Sequence, residues 1–218
     1  MRSYLNCLKK QRDSDDRGAA IVEFAIAIPL FVALLLLVFD AGLGYSASRS
    51  SSSAARSAAR VGALAGDARN ADFLALDALR SEYGNAPAEG DDGGIVRIIV
   101  YRSAPGDPAT ANGAPPAACA SSSVEGICNS YDASILESLT PETFTTTLLA
   151  DGTLTCAADA PDVAWCPLHR RADDGSFLGV FISSVYDTTT GLESTSFNLQ
   201  DRAVFALYFP PLPIELGA

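Results

Sequence analysis

The chain has 218 residues and is acidic, with 15 Lys+Arg against 26 Asp+Glu and a net charge of −11. That length holds one or two small domains, and that charge excludes nucleic acid as a partner, because its phosphates would be repelled. The charge is unevenly spread. Residues 1–18 carry Arg2, Lys9, Lys10, Arg12 and Arg17 against Asp13, Asp15 and Asp16, a net +2, which leaves −13 for the remainder (−11 less +2). Both lysines lie in this leader. Lys and Arg beside an apolar segment resist translocation, so the leader is expected on the cytoplasmic side.

Residues 19–39, AAIVEFAIAIPLFVALLLLVF, form a 21-residue apolar run with one charge, Glu23. At about 1.5 Å per residue, a helix of this length crosses a hydrocarbon core of roughly 30 Å. The topology that follows is a leader inside, one span, and residues 40–218 outside. A secretory signal has a shorter apolar core followed by a small-residue cleavage site. Here the core is long, and Ser46-Ala47-Ser48 is a poor site. Cys7 precedes the run, whereas a lipoprotein cysteine follows it. Glu23 has two readings. A carboxylate at mid-span costs about 2.5–3.5 kcal/mol and marks a functional candidate. Lying only about 6 Å from Ala19 along the helix, it also reaches the inner interface at little cost.

Residues 40–66, DAGLGYSASRSSSSAARSAARVGALAG, contain no proline. Ala54, Ala58, Gly62 and Gly66 recur every four residues and share one face of a helix. Such a small-residue ladder lets two backbones approach closely. Arg49, Arg56 and Arg60 project from its flanks. Ser50-Ser51-Ser52-Ser53 favours a flexible linker instead, but the ladder supports a helical stalk continuing the span. A second helix is expected over 70–83, with Phe73, Leu76, Leu79 and Tyr83 as core positions and Gly84 as its stop.

Beyond it, 95–101 (IVRIIVY) and 177–186 (FLGVFISSVY) are predicted strands, the second followed by a turn through 187–191. A third covers 203–209 and is closed by Pro210-Pro211. The expected fold class is α+β, a long N-terminal transmembrane and stalk helix packed on a small antiparallel sheet. An insert at about 103–176 separates the first two strands. Its first part, 103–131, is rich in Ala, Pro, Ser and Gly, the composition of a loop. A short helix or strand is expected around Ile135-Leu136 and 145–149. Loops this long are often functional, so the insert is where surface specificity is expected.

Cys119, Cys128, Cys156 and Cys166 lie outside, an even number suited to disulfides in an oxidising compartment. Local pairing, Cys119–Cys128 with Cys156–Cys166, is the simplest of three connectivities. Structural zinc sites favour closer spacing, so no metal is expected. Asp91-Asp92 and Asp173-Asp174 flank glycines in the manner of calcium turns, though such pairs commonly carry no metal. The sole histidine, His169, sits in the polar stretch Leu168-His169-Arg170-Arg171 and reads as a surface residue. With no nucleophile, metalloprotease or phosphate-loop motif, neither enzymatic activity nor a cofactor is expected.

The stretch R-G-A-A-I-V-E-F-A-I-A-I-P-L, residues 17–30, resembles the N-terminus of TadE-like pseudopilins of the Tad (Flp-type) pilus system. The late strands resemble theirs more weakly. TadG-like proteins share the R-G start and an apolar run ending in Asp, as Phe39-Asp40 does, but Val22-Glu23-Phe24-Ala25 favours the TadE-like side. The resemblance implies a pilin-like fold and cleavage by a prepilin peptidase between Gly18 and Ala19. Residues 1–18 would then be a prepilin-type leader and Glu23 the fifth residue of the mature chain. It further implies that Glu23 pairs with the α-amino group of a neighbouring subunit, with Phe24 packing between subunits. The implied partners are the peptidase, other Tad pilins and pseudopilins, and the inner-membrane assembly machinery. The implied location is the cytoplasmic membrane, and surface pili where the subunit is assembled. A rival reading is an uncleaved, single-span binding or adhesion protein that displays the insert.

Overall fold

A computed structural model describes residues 2–83, 93–104, 110, 113–144, 146–148, 150, 154–156, 163–170, 177–188 and 196–207. Gly84, both aspartate pairs, positions 189–191 of the expected turn and Pro210-Pro211 lie outside these residues.

Helix α1 runs unbroken over Arg2–Ala65, 64 residues, with Pro29 inside it. It is about 96 Å long at the usual rise. The expected stalk is thus the same helix as the apolar run. The serine tract does not interrupt it, because Ser51 is fully buried against the rest of the chain and packing overrides weak local propensity. Gly66 ends the helix. Its φ of +55° is left-handed, and its N–H donates to the Gly62 carbonyl at 3.1 Å, the αL form of C-terminal cap.

Helix α2, Ala71–Tyr83, then packs against α1. Ala75 and Leu76 lie in the contact face, and Leu76 and Leu79 are fully buried. Phe73 and Tyr83 are partly buried at the edge of the same cluster. At Gly62 an added Cβ would stand 3.1 Å from the Ala75 Cβ and 3.3 Å from Leu178 Cδ2. The backbone there is as close as a side chain allows.

The main sheet has four antiparallel strands in the order β2-β1-β5-β6. These are β1 (Gly93–Ser103), β2 (Cys128–Asp132), β5 (Phe177–Asp187) and β6 (Ser196–Ala206). Strand β2 falls within the insert, where the composition suggested only loop. The last strand starts seven residues before the predicted 203, through the polar stretch Ser196–Arg202 of an edge strand. Strands β3 (Thr146–Leu148) and β4 (Leu154–Cys156) pair as a separate hairpin. Short 3-10 turns cover Ala133–Leu136 and Pro167–His169.

Period-2 alternation gives this sheet two buried faces. Ile98, Val100, Leu178, Val180 and Ile182 join the cluster that holds Ala54, Ala55, Ala58 and Ala59 of α1. Ile99 and Tyr101 point the other way, into a second cluster with Cys119 and Cys128.

Tyr101 depends on a glycine. It lies opposite Gly179 in register, its ring fills the space over that residue, and its hydroxyl donates to the Gly113 carbonyl. A Cβ on Gly179 would meet the ring at 2.3 Å. We therefore expect Gly179→Ala to destabilise the fold by at least about 1–3 kcal/mol, the usual range for an overpacked core. Denaturant unfolding of the detergent-solubilised chain measures this, and an unchanged midpoint would contradict it.

Candidate functional site

Along residues 20–35 of α1 no described part of the chain covers the helix. Gly18 and residues 20–35 are all exposed, and none of the apolar window is buried within the chain. Phe24 is 66% exposed, and Glu23 is exposed on the same stretch. A helix that is apolar all round needs lipid or partner helices to cover it. It is the one described helix long and apolar enough to cross a membrane. Gly18 has open space around its Cα, with nothing within 4 Å of an added Cβ. Among the described residues, no packing requires a glycine at this position. Ala19 continues the helical backbone.

Burial begins with Leu36 and recurs at Asp40, Gly44, Ala47 and Ser48. These positions form one helical stripe at spacings of three and four. At Gly44 the helix passes close under the sheet, with an added Cβ 3.6 Å from Tyr186 Cε1. Burial of its hydroxyl, and then the charge of Asp40, push the Tyr186 pKa up. Further along the stripe, Ala54, Ala58 and Gly62 are buried against α2 and the sheet. The small-residue ladder is therefore occupied within the chain. Gly66 caps the helix beyond it. Arg56 and Arg60 remain exposed on the outer flank.

A buried polar cluster holds the insert to this scaffold. Asp72 of α2 and Arg170 have fully buried side chains, with Nη2 2.6 Å from Oδ1. Oδ1 has no aligned hydrogen bond, so the approach is chiefly Coulombic. Asp72 Oδ2 accepts from Asn129 Nδ2 at 2.6 Å and from the Tyr131 hydroxyl at 2.8 Å. Asn129 also grips the Trp165 backbone, donating to its carbonyl at 2.9 Å and accepting from its N–H at 2.6 Å. The Arg170 guanidinium lies 4.2 Å from the Trp165 ring centroid. That cation–π contact faces a group whose Nε and Nη1 have no hydrogen-bond acceptor.

In the sequence Arg170 lies in the polar stretch that holds His169, and Asp72 is not among the candidate residues. His169 is exposed, but Arg170 is buried. A signal was present. Asp72 lies four residues before Leu76 and seven before Leu79, on the apolar stripe of α2, and a carboxylate there requires a cation.

Both local disulfides form, Cys119–Cys128 and Cys156–Cys166. The first ties the outer-face loop to the start of β2, and the second ties the β3–β4 hairpin to the segment that carries Trp165 and Arg170. Among the described residues, no group of three or more His, Cys, Asp or Glu is placed to hold a metal ion.

Residues 18–60 match the family model described as TadE-like protein. Over this stretch the chain is similar to TadE-like proteins. The match begins at the expected junction glycine and covers the exposed apolar half of α1 together with most of its buried half. It supports a protein related to the Tad pilus. No curated protein and no solved structure matches the chain. The sheet, the hairpin and the buried Asp72–Arg170 cluster all lie outside the TadE-like segment.

Two outcomes follow from the cluster. Removing Arg170, as in Arg170→Met, leaves Asp72 buried and unpaired, and such losses cost about 3–5 kcal/mol. The second concerns pH. Burial, then the charge of Asp72, raise the Tyr131 pKa well above its ordinary 10.0, and burial pushes Tyr101 up to about 12. The folded chain keeps protons that the unfolded chain releases above pH 10. Stability is therefore full below pH 10 and falls as pH rises beyond it. Tyr131→Phe is expected to flatten that alkaline slope while lowering stability at neutral pH by about 1–3 kcal/mol, as Asp72 loses a donor. Chemical unfolding as a function of pH reads both effects.

Proposed function

We propose that the protein is a TadE-like minor pilin or pseudopilin, used structurally in Tad/Flp-type pilus biogenesis and surface adhesion. The observation that carries this reading is the TadE-like match starting at Gly18, on a helix whose next 16 described side chains, residues 20–35, are all exposed. A prepilin peptidase cuts between Gly18 and Ala19 on the cytoplasmic side. Residues 19–39 span the membrane, 40–66 form the stalk, and 67–218 form the extracytoplasmic domain. Open space at Gly18 supports a processing role, since packing gives no other reason for glycine there.

Cleavage creates an α-amino group with a pKa near 8, a cation at ordinary pH. Carried into a bundle of apolar helices, that cation needs an anion nearby. Glu23 of a neighbouring subunit supplies it, and Phe24 with the other exposed apolar residues fills the space between helices. The partners are the peptidase, other Tad pilins and pseudopilins, and the inner-membrane assembly machinery.

A second reading keeps the leader and makes the helix a plain anchor for a binding or adhesion domain. The two readings differ at Glu23. Under the first, Glu23→Ala leaves the chain in the membrane fraction but removes it from sheared filaments analysed by mass spectrometry. Under the second, the chain is absent from filaments with or without the substitution. Equal recovery of both forms in filaments would contradict the assembly role of Glu23.

A further inference from the structure

The contact between Gly44 and Tyr186 places one end of the sheet along the helix. Gly44 is five residues past Phe39, about 7.5 Å along the helix. Tyr186 pairs in register with Gly93 of β1 and Phe197 of β6. This end of the three-stranded core therefore stands beside the point where the apolar run stops.

The side chains there are aromatic and open. Tyr45 is 67% exposed and Phe197 54% exposed. The Arg49 guanidinium, one turn further on, lies 5.9 Å from the Tyr45 ring centroid. Tyrosine is enriched at headgroup level, where its ring is covered and its hydroxyl stays wet, and an exposed phenylalanine at the same height adds apolar area to such a contact. Asp40 and Asp187 share this end of the domain. The net charge is therefore not what attracts the surface, and a neutral phosphatidylcholine bilayer suffices.

We propose that this end of the domain, through Tyr45 and Phe197, rests in the headgroup layer of the bilayer, continuous with the lipid-covered helix. The domain is then seated on the membrane before any assembly and does not stand clear on its stalk. The inference rests on the spanning reading of residues 19–39, and its test separates the two.

The full chain is reconstituted in phosphatidylcholine vesicles with and without brominated acyl chains, and tryptophan quenching is read. Phe197→Trp, Phe205→Trp and Phe31→Trp are compared with the unsubstituted chain, whose own Trp165 is buried and gives the background. Phe205 is on the same strand, about 26 Å further from the membrane. The expected result is strong quenching at 31 by deep bromines, quenching at 197 by shallow bromines, and background quenching at 205. Quenching at 31 with only background at 197, or equal quenching at 197 and 205, overturns the seated domain and leaves the span intact. Background quenching at 31 overturns the span itself, and the seated domain with it.

Discussion

A single helix must satisfy two environments, and the rest of the structure follows from where it changes between them. Over residues 20–35 the side chains of α1 are apolar, apart from Glu23, and uncovered. Over 54–63 the inward side chains are Ala or Gly and fully covered. The exchange takes place between Leu36 and Gly44, within about two turns. Small residues are needed in the second half because α2 and the sheet both press on the same helix face. At Gly62 not even a methyl fits without displacing a neighbour. The ladder that would suit packing between subunits is spent within the subunit. What remains for partners is the exposed half, with its lone carboxylate at Glu23.

The second organising element is polar. Asp72, Asn129, Tyr131 and Arg170 join α2, β2 and the segment after Cys166, positions separated by up to 98 residues between Asp72 and Arg170. Removing charges from water gains little net stability, but breaking one partner away is costly. Such a cluster acts as a key. It fixes which segment of the insert docks on α2, and the Cys156–Cys166 bridge limits where that segment can go. The insert thereby becomes part of the core at one end while carrying exposed surface elsewhere.

How much of this was legible in the sequence depended on whether the signal was local. The helix was legible because its apolar run and four-residue ladder are periodic and unbroken. Strands β1 and β5 were legible because each is rich in β-branched and aromatic residues. Strand β2, Cys-Asn-Ser-Tyr-Asp, has no apolar pattern, and its buried Asn129 is stabilised by Asp72 and Trp165, which are 57 and 36 residues away. No local rule reads such a pairing. The front of β6 was missed for the opposite reason, since an edge strand with one wet face resembles a polar loop. The junction at Gly18 and Glu23 was legible as a motif. The structure adds to it that, among the described residues, none packs on Gly18 and Glu23 is exposed.

Cleavage at that junction decides whether Glu23 becomes an assembly residue, and the intact mass of the protein extracted from its native membrane tests it most directly. A mass matching a chain that begins at Ala19, with Glu23 fifth, is the predicted result. A mass that retains Met1 and the basic leader, in cells making filaments, would contradict the account.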